Sequence, residues 1–400
     1  MIAKQASLAH GSRPSAPAAA LSGIGLRRAV GRLTEATTAC YLAASAAMVR
    51  RLIAGQAAAR NFSRVVVLGP LSRRNGVAQG ATLQWMALKQ LGIDTHLVDA
   101  APGLRNPLRR AQHHPGTAYV VHGGGPQAAN LLATALPHAA NAYRIAYLAW
   151  ELPDPPQDWA GCDRNFDEIW TPSSFSRESL GRLLGRPIHV VPHHIAPQTM
   201  RERDPCWPFT VLALADSRSS FDRKNPEGAL RAFLGAFGAS PRARLILKLN
   251  GRSVELDAFE RSCRHLLDSR NVEIVRTYLD GSAMARLFRS ADVLLSLHRA
   301  EGFGLPLLEA MSHGIPVVAT AWSGNMDFMS PSDSELVPYR LVPVSDLSGV
   351  YGNSMWAEPD IKAAACMLRR LADDQEHYRR VATAAHERVA AARPQFPFTP

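Results

Sequence analysis

The chain has 400 residues, 46% of them hydrophobic and 20% charged. That suits two globular domains of about 150–200 residues each and excludes disorder over the whole length. The net charge of +11 sits mostly in residues 1–60, where Lys4, Arg13, Arg27, Arg28, Arg32, Arg50, Arg51 and Arg60 face Glu35 alone.

This leader reads in two parts. Residues 1–25 are rich in Ala, Ser, Pro and Gly, a composition that favours disorder. From Leu26 to Ala59, Leu33, Ala36, Ala43, Ala47 and Ile53 fall at helical spacing among the arginines. Two readings stand: a basic amphipathic segment that touches an anionic membrane surface, or an extension or extra helix packed on the first domain. The apolar face is mostly alanine, which binds lipid weakly and favours the second. A nucleic-acid partner is not expected, because Tyr41 is the leader's only aromatic residue.

No stretch suits a membrane-spanning helix. Residues 115–143 carry no Lys, Arg, Asp or Glu but are broken by Gly123, Gly124, Gly125, Pro126 and Pro137. Residues 36–49 fall short of the roughly 20 residues a span requires. The cysteines Cys40, Cys162, Cys206, Cys263 and Cys366 are odd in number, widely spaced and form no CxxC. This argues against a disulfide framework or a zinc site and for a reducing, cytoplasmic location.

From residue 64 short apolar runs alternate with helical stretches. Arg64–Leu68, Thr95–Val98, Ala118–Val121, Arg144–Ala149, Glu168–Trp170 and His189–Val191 read as strands, with a helix over Ala81–Leu91. Ala196–Pro208, with three prolines, reads as a linker. The rhythm restarts at Thr210–Ala215, Arg244–Lys248, Val272–Val275, Asp292–Leu297 and Pro316–Ala319. Apolar strands separated by helices imply parallel sheets buried on both faces. The expected fold is α/β, two doubly wound domains in tandem, with ligands at the carboxyl ends of the strands.

Three segments carry chemistry. The first, Gly69 to Gly80, is a glycine-containing turn into a helix and includes Gly76 and Val77. The second runs from Asp216 to Pro226. Asn225 and Pro226 are a cap and first-turn pair, and Arg218 and Lys224 are two cations suited to a pyrophosphate. The third is Glu301-Gly302-Phe303-Gly304-Leu305-Pro306-Leu307-Leu308-Glu309, with a helix opening at Pro306 and Glu309 near its first turn. Its two carboxylates suit the hydroxyls of a sugar and a ribose.

Together these segments resemble the GT-B glycosyltransferases of family 4. Glu301 and Glu309 stand at that family's E-x7-E spacing, and Arg218 and Lys224 match its arginine and lysine. Ala149–Pro153, Trp170–Phe175, Ser323–Phe328 and Trp356–Asp360 are similar to a bacterial polysaccharide branch. The resemblance covers roughly residues 64–390 and leaves the leader without a counterpart. It implies a GT-B architecture: a leader over 1–60, an acceptor-side Rossmann-like domain over 61–200 and a linker over 201–209. A nucleotide-sugar domain over 210–375 and a C-terminal helix and tail over 376–400 complete it.

The resemblance also implies roles. Arg218, Lys224, Gly304 and Leu305 would hold the donor diphosphate. Glu301, Gly302, Phe303 and Glu309 would hold the sugar and ribose, and Gly76 and Val77 would form the acceptor-side loop. The family histidine at the end of the Arg144–Ala149 strand is absent, because Trp150-Glu151 stands there. Glu151 and then His122 are the substitutes, so the catalytic candidates are Glu301, Glu151 and His122. His193 and His194 are read as shaping the hinge. No DxD or carboxylate cluster accompanies them, so no metal is expected.

The implied activity is retaining, metal-independent transfer of a hexose from a GDP- or UDP-sugar, with no separate cofactor. The acceptor would be a saccharide or lipid-linked oligosaccharide of surface polysaccharide synthesis. A dinucleotide oxidoreductase is disfavoured because the first turn lacks GxGxxG. A non-catalytic protein that binds sugar nucleotides or glycans on the same fold is the standing alternative.

Overall fold

A computed structural model describes residues 62–73, 75–101, 116–135, 139, 142–204, 208–346 and 351–398, with positions 44, 47 and 51. The readings of the leader otherwise lie outside the described residues, as does the linker over 205–207.

The first domain is a six-stranded parallel sheet. Its strands are β1 (Arg64–Gly69), β2 (Asp94–Asp99), β3 (Thr117–His122), β4 (Tyr143–Tyr147), β5 (Glu168–Thr171) and β6 (Ile188–Val190), ordered β2-β1-β3-β4-β5-β6. The apolar run of β1 shows why the sheet is covered on both sides. Val66 and Leu68 enter one core with Leu131 and Leu132, while Val65 and Val67 enter another with Ala81 and Leu88. Each such buried side chain contributes about 1.5–3 kcal/mol.

Helices α1 (Gly76–Gln90), α2 (Gly125–Ala133) and α3 (Ser174–Leu180) flank this sheet. Helix α1 starts five residues earlier than the spacing predicts, because the Asn75 side chain accepts from the Ala78 N–H and caps it. Gly76 and Val77 are therefore its first turn and not a loop.

The second domain repeats the design with β7 (Phe209–Asp216), β8 (Ala243–Asn250), β9 (Val272–Val275), β10 (Val293–Ser296), β11 (Val317–Thr320) and β12 (Glu335–Val337). Its order is β12-β11-β10-β7-β8-β9, again all parallel. Helices α4 (Phe221–Lys224), α5 (Pro226–Phe237), α6 (Leu305–Ser312), α7 (Ile361–Asp373) and α8 (Gln375–Ala391) belong to it. The strand order reverses between β7 and β10, and the crevice beyond their carboxyl ends is where such sheets bind ligands.

Strand β12 and an antiparallel hairpin, β13 (Tyr339–Pro343) with β14 (Met355–Pro359), are additions that the sequence pattern does not announce. They are three to five residues long, and prolines end both hairpin strands.

Helix α8 packs on α6 and α7, and its His386 Nε2 meets the Gln198 carbonyl at 2.8 Å. Beyond it the chain crosses to the first domain. The rings of Phe396 and Phe398 lie 5.6 and 5.8 Å from fully buried Trp170, and Phe398 meets Phe62 edge-on at 5.2 Å. Replacing both phenylalanines by alanine should lower unfolding stability by about 2 kcal/mol, from lost apolar burial and ring contacts. An unchanged urea midpoint, read by tryptophan fluorescence, would show that the tail does not brace the sheet.

Candidate active site

Because β7 and β10 are neighbours, the turn after β7 and the loop after β10 meet. The Lys224 ammonium donates to Glu301 Oε1, and Arg223 Nη1 lies 3.5 Å from the same oxygen. Arg223 also donates to the carbonyls of Ala300 at 2.7 Å and Ser219 at 3.1 Å. Its Nη2 reaches across to Glu151 of the first domain at 3.7 Å. The guanidinium is thus held while its side chain is only 3% exposed. The hairpin braces this turn: Glu358 of β14 accepts from Arg299 at 2.7 Å, and Arg299 donates to the Asp222 carbonyl at 2.6 Å.

Burial raises the carboxyl of Glu301, but Lys224, Arg223 and His298 outweigh it and hold its pKa at about 2. Burial lowers Lys224, and the pull of Glu301 only partly offsets it. His298, fully buried between Ser296 and Asn325, is pushed by burial to about 4 and is neutral.

The backbone of the Glu301 loop is pinned from several sides. The Glu301 N–H donates to Ser323 Oγ at 2.9 Å, and the Gly324 N–H donates to the Glu301 carbonyl at 2.9 Å. Gly324 presses so closely that a Cβ there would lie 2.2 Å from the Gly302 oxygen. Gly304 opens α6 at φ 100°, a left-handed conformation that suits glycine. No side chain caps α6; the Leu307 and Leu308 N–H groups donate instead to the Gly304 carbonyl at 2.9 and 3.2 Å.

The other expected site residues divide. The backbone of Gly302 lies against the first domain, where a Cβ added to it would stand 3.6 Å from atoms of Ala149, Trp150 and Glu151. Phe303 is buried and packs edge-on against His193 at 5.1 Å. Leu305 is half-buried in the first turn of α6. Glu309 is the fifth residue of α6, one position deeper than expected and past the first turn, so it is not a partner of the helix dipole. It bonds Gln79 of α1 across the cleft, and burial raises its pKa to about 7 against that bond.

Arg218 does not join the Glu301 cluster. Its half-exposed guanidinium is held by Asp216, with Nη2 at 2.6 Å from Oδ2 and Nε at 3.0 Å from Oδ1. His122 is not brought to the cluster either. It is 1% exposed, bonded to Gln84 and stacked on Tyr147 at 4.3 Å, and burial keeps it neutral. Glu151 stands where the sequence puts it, half-buried and facing Arg223.

Sequence reasoning missed Arg223, His298 and the serines of the first domain. The signal for Arg223 was present, since it directly precedes Lys224, but spacing alone selects Arg218. Among the described residues, no group of three or more His, Cys, Asp or Glu side chains could hold a metal ion. No helix among them is long and apolar enough to cross a membrane.

Residues 217–348, the segment that carries Lys224, Glu301 and Glu309, match the family model described as glycosyl transferases group 1. No curated protein matches the sequence. Among solved structures, Anabaena HepE in complex with UDP and glucose is similar, at TM-score 0.58 and 13% identity over 82% of this chain and 95% of its own. Sucrose-phosphate synthase of Thermosynechococcus elongatus is similar at 0.58 and 15%, over 82% and 94%. The pneumococcal O-GlcNAc transferase GtfA in complex with UDP and GlcNAc is similar at 0.51 and 13%, over 72% and 55%. At these identities the likeness is one of fold: the chain has the two-domain GT-B architecture, and its second domain carries the group 1 glycosyltransferase match.

Proposed function

We propose that this protein is a family 4-like glycosyltransferase that moves a hexose from a UDP-sugar to a saccharide or lipid-linked acceptor, with retention and without a metal. The observation that carries this reading is the buried Arg223–Lys224–Glu301 cluster beside the uncapped start of α6, at the switch point of the second sheet. The UDP class is favoured because HepE and GtfA are both seen with UDP. Retention and a surface-polysaccharide acceptor rest on the family 4 resemblance.

Breaking the bond between the sugar C1 and the diphosphate leaves positive charge on the ring and negative charge on the leaving phosphate. Lys224, Arg223 and the α6 end stabilise the second charge, with fixed cations in a site that excludes water. Arg218 joins them by exchanging Asp216 for a phosphate. Glu301 is ionised at every working pH and accepts from the sugar hydroxyls, while Glu309 accepts from the ribose. Glu151 receives or orients the acceptor proton after releasing Arg223. The engagement of Glu151 by Arg223 and the enclosure of His122 favour one second reading, a protein that binds the sugar nucleotide and does not turn it over. A transfer assay with a UDP-sugar panel separates the two.

In the free protein Glu301 occupies Lys224. Glu301→Gln should therefore leave UDP affinity unchanged or tighter, while single-turnover transfer falls about 10²-fold. Glu309→Gln should weaken UDP and the UDP-sugar alike. These rates are to be read in buffer with chelator, where a strict need for added manganese or magnesium would refute the metal-free assignment. Glu301→Gln weakening UDP as much as Glu309→Gln would refute the placement of the two carboxylates.

Glu309 also sets a pH dependence. With its pKa at about 7 it is protonated in more acid solution, and a ribose favours the carboxylate. UDP binding should tighten as pH rises from 6 to 8, approaching about tenfold per unit on the acid side. Calorimetry of Glu309→Gln should lack that component, and an identical profile in the variant would exclude Glu309 as the ribose ligand.

The leader's seven surplus positive charges suit attachment to the cytoplasmic face of an anionic membrane. On the membrane reading of the leader, removing residues 1–60 should reduce co-sedimentation with anionic vesicles at low salt, added salt should have the same effect, and UDP binding should stay intact. Full-length protein that stays in the supernatant at low salt would exclude the attachment.

A further inference from the structure

The Glu301 loop belongs to the second domain, yet one of its peptide groups is held by the first. The Gly302 carbonyl accepts from Ser173 Oγ at 2.6 Å, and Ser176 Oγ lies 3.4 Å from it. Both serines are fully buried, and both stand at the start of α3 in the first domain. Ser173 is the cap of that helix and accepts from the Ser176 N–H at 3.1 Å. Ser176 also donates to the Trp150 carbonyl at 2.6 Å, next to Glu151. The same junction is closed by the Ser174 N–H, which donates to Asp327 at 2.6 Å, and by Phe175 against Trp322 at 5.2 Å.

The division of labour is specific. The N–H and carbonyl of Glu301 are pinned by Ser323 and Gly324 within the second domain. The next carbonyl is reached by hydroxyls of the first domain. Gly302 has no side chain to limit its torsions, so the direction of its peptide group depends on what its carbonyl meets. That peptide links Gly302 to Phe303, the residue before the cap of α6.

We propose that Ser173 is a positioning residue that makes the productive geometry of the Glu301 loop depend on the contact between the two domains. This rests on the reading of that loop as the donor site. When the domains meet, the Ser173 hydroxyl orients the Gly302 peptide, and the Glu301 carboxylate takes its place on the donor sugar. When they part, the carbonyl loses its buried donor and the loop relaxes. Cleavage of the donor is thereby tied to the arrangement in which Glu151 and an acceptor are also present, which favours transfer over hydrolysis.

The test compares wild type, Ser173→Ala and Ser173→Thr as full-length chains. Threonine keeps both the cap and the donor hydroxyl. Hydrogen exchange of amides 301–305 should rise about tenfold or more in Ser173→Ala and return toward wild type in Ser173→Thr. Transfer turnover should fall about tenfold in the alanine variant, with UDP affinity within about twofold of wild type, and recover with threonine. Loss of the helix cap alone would raise exchange over residues 174–180 and leave 301–305 unchanged, and that result overturns the proposal. Wild-type turnover in Ser173→Ala, or a loss of UDP affinity matching the loss of turnover, overturns it as well. The exchange effect in Ser173→Ala, found together with a wild-type chain that neither binds UDP nor uses any UDP-sugar, would refute the donor-site reading and leave the coupling between the domains established.

Discussion

The guanidinium of Arg223 must be satisfied in an interior that gives it almost no water, and much of the site follows from that requirement. A buried cation deprived of its partners costs about 3–5 kcal/mol. Here the partners include two carbonyls, one carboxylate of its own domain and one from across the cleft. The loop after β10 has to lie where Ala300 and Glu301 can serve, and the end of β4 has to bring Glu151 close. Lys224 adds a second cation on the same carboxylate. The cluster therefore does not add much to stability relative to an apolar core. What it supplies is a set of fixed charges whose removal is costly, gathered at the switch point of the second sheet.

The architecture was readable because its strands are buried on both faces. Runs such as Val65–Leu68 have no polar face to confuse the pattern, and Asn225-Pro226 opens α5 in the way capping chemistry dictates. The short edge elements were not readable. Glu335–Val337 is too brief for a periodicity, and the hairpin gains its reason only from Glu358 holding Arg299. At the site the residue types were legible and their partners were not. Arg223 turns inward because Ser220 adopts φ 64° and caps the Arg223 N–H with its hydroxyl, which makes one turn of helix there. The interval to Lys224 points instead to Arg218, and no local pattern marks Arg223 as the arginine that turns inward. Glu301 and Glu309 were singled out by their interval, but the opposite directions of their pKa shifts arise from tertiary contact: two cations beside Glu301, and burial that outweighs the Gln79 hydrogen bond at Glu309.

Trp150-Glu151 in place of a histidine has a physical counterpart in the structure. The indole is buried against Tyr351 and Trp159, and its Nε1–H donates to the Asp154 carbonyl at 2.8 Å. Asp154 in turn accepts from Ser354 at 2.8 Å, next to the hairpin that braces the arginine turn. A carboxylate following that indole meets Arg223, where an imidazole would add a third positive or neutral group beside two cations. The Trp150-Glu151 pair and the burial of Arg223 are thus compatible parts of one arrangement.

The aromatic tail has a consequence for the order in which the molecule is made. Phe396 and Phe398 complete the layer over Trp170, yet nearly the whole second domain is synthesised between them. A nascent first domain emerges with that indole and the neighbouring ring of Phe62 uncovered, a sticky surface during translation. The second domain must fold before the tail can be delivered.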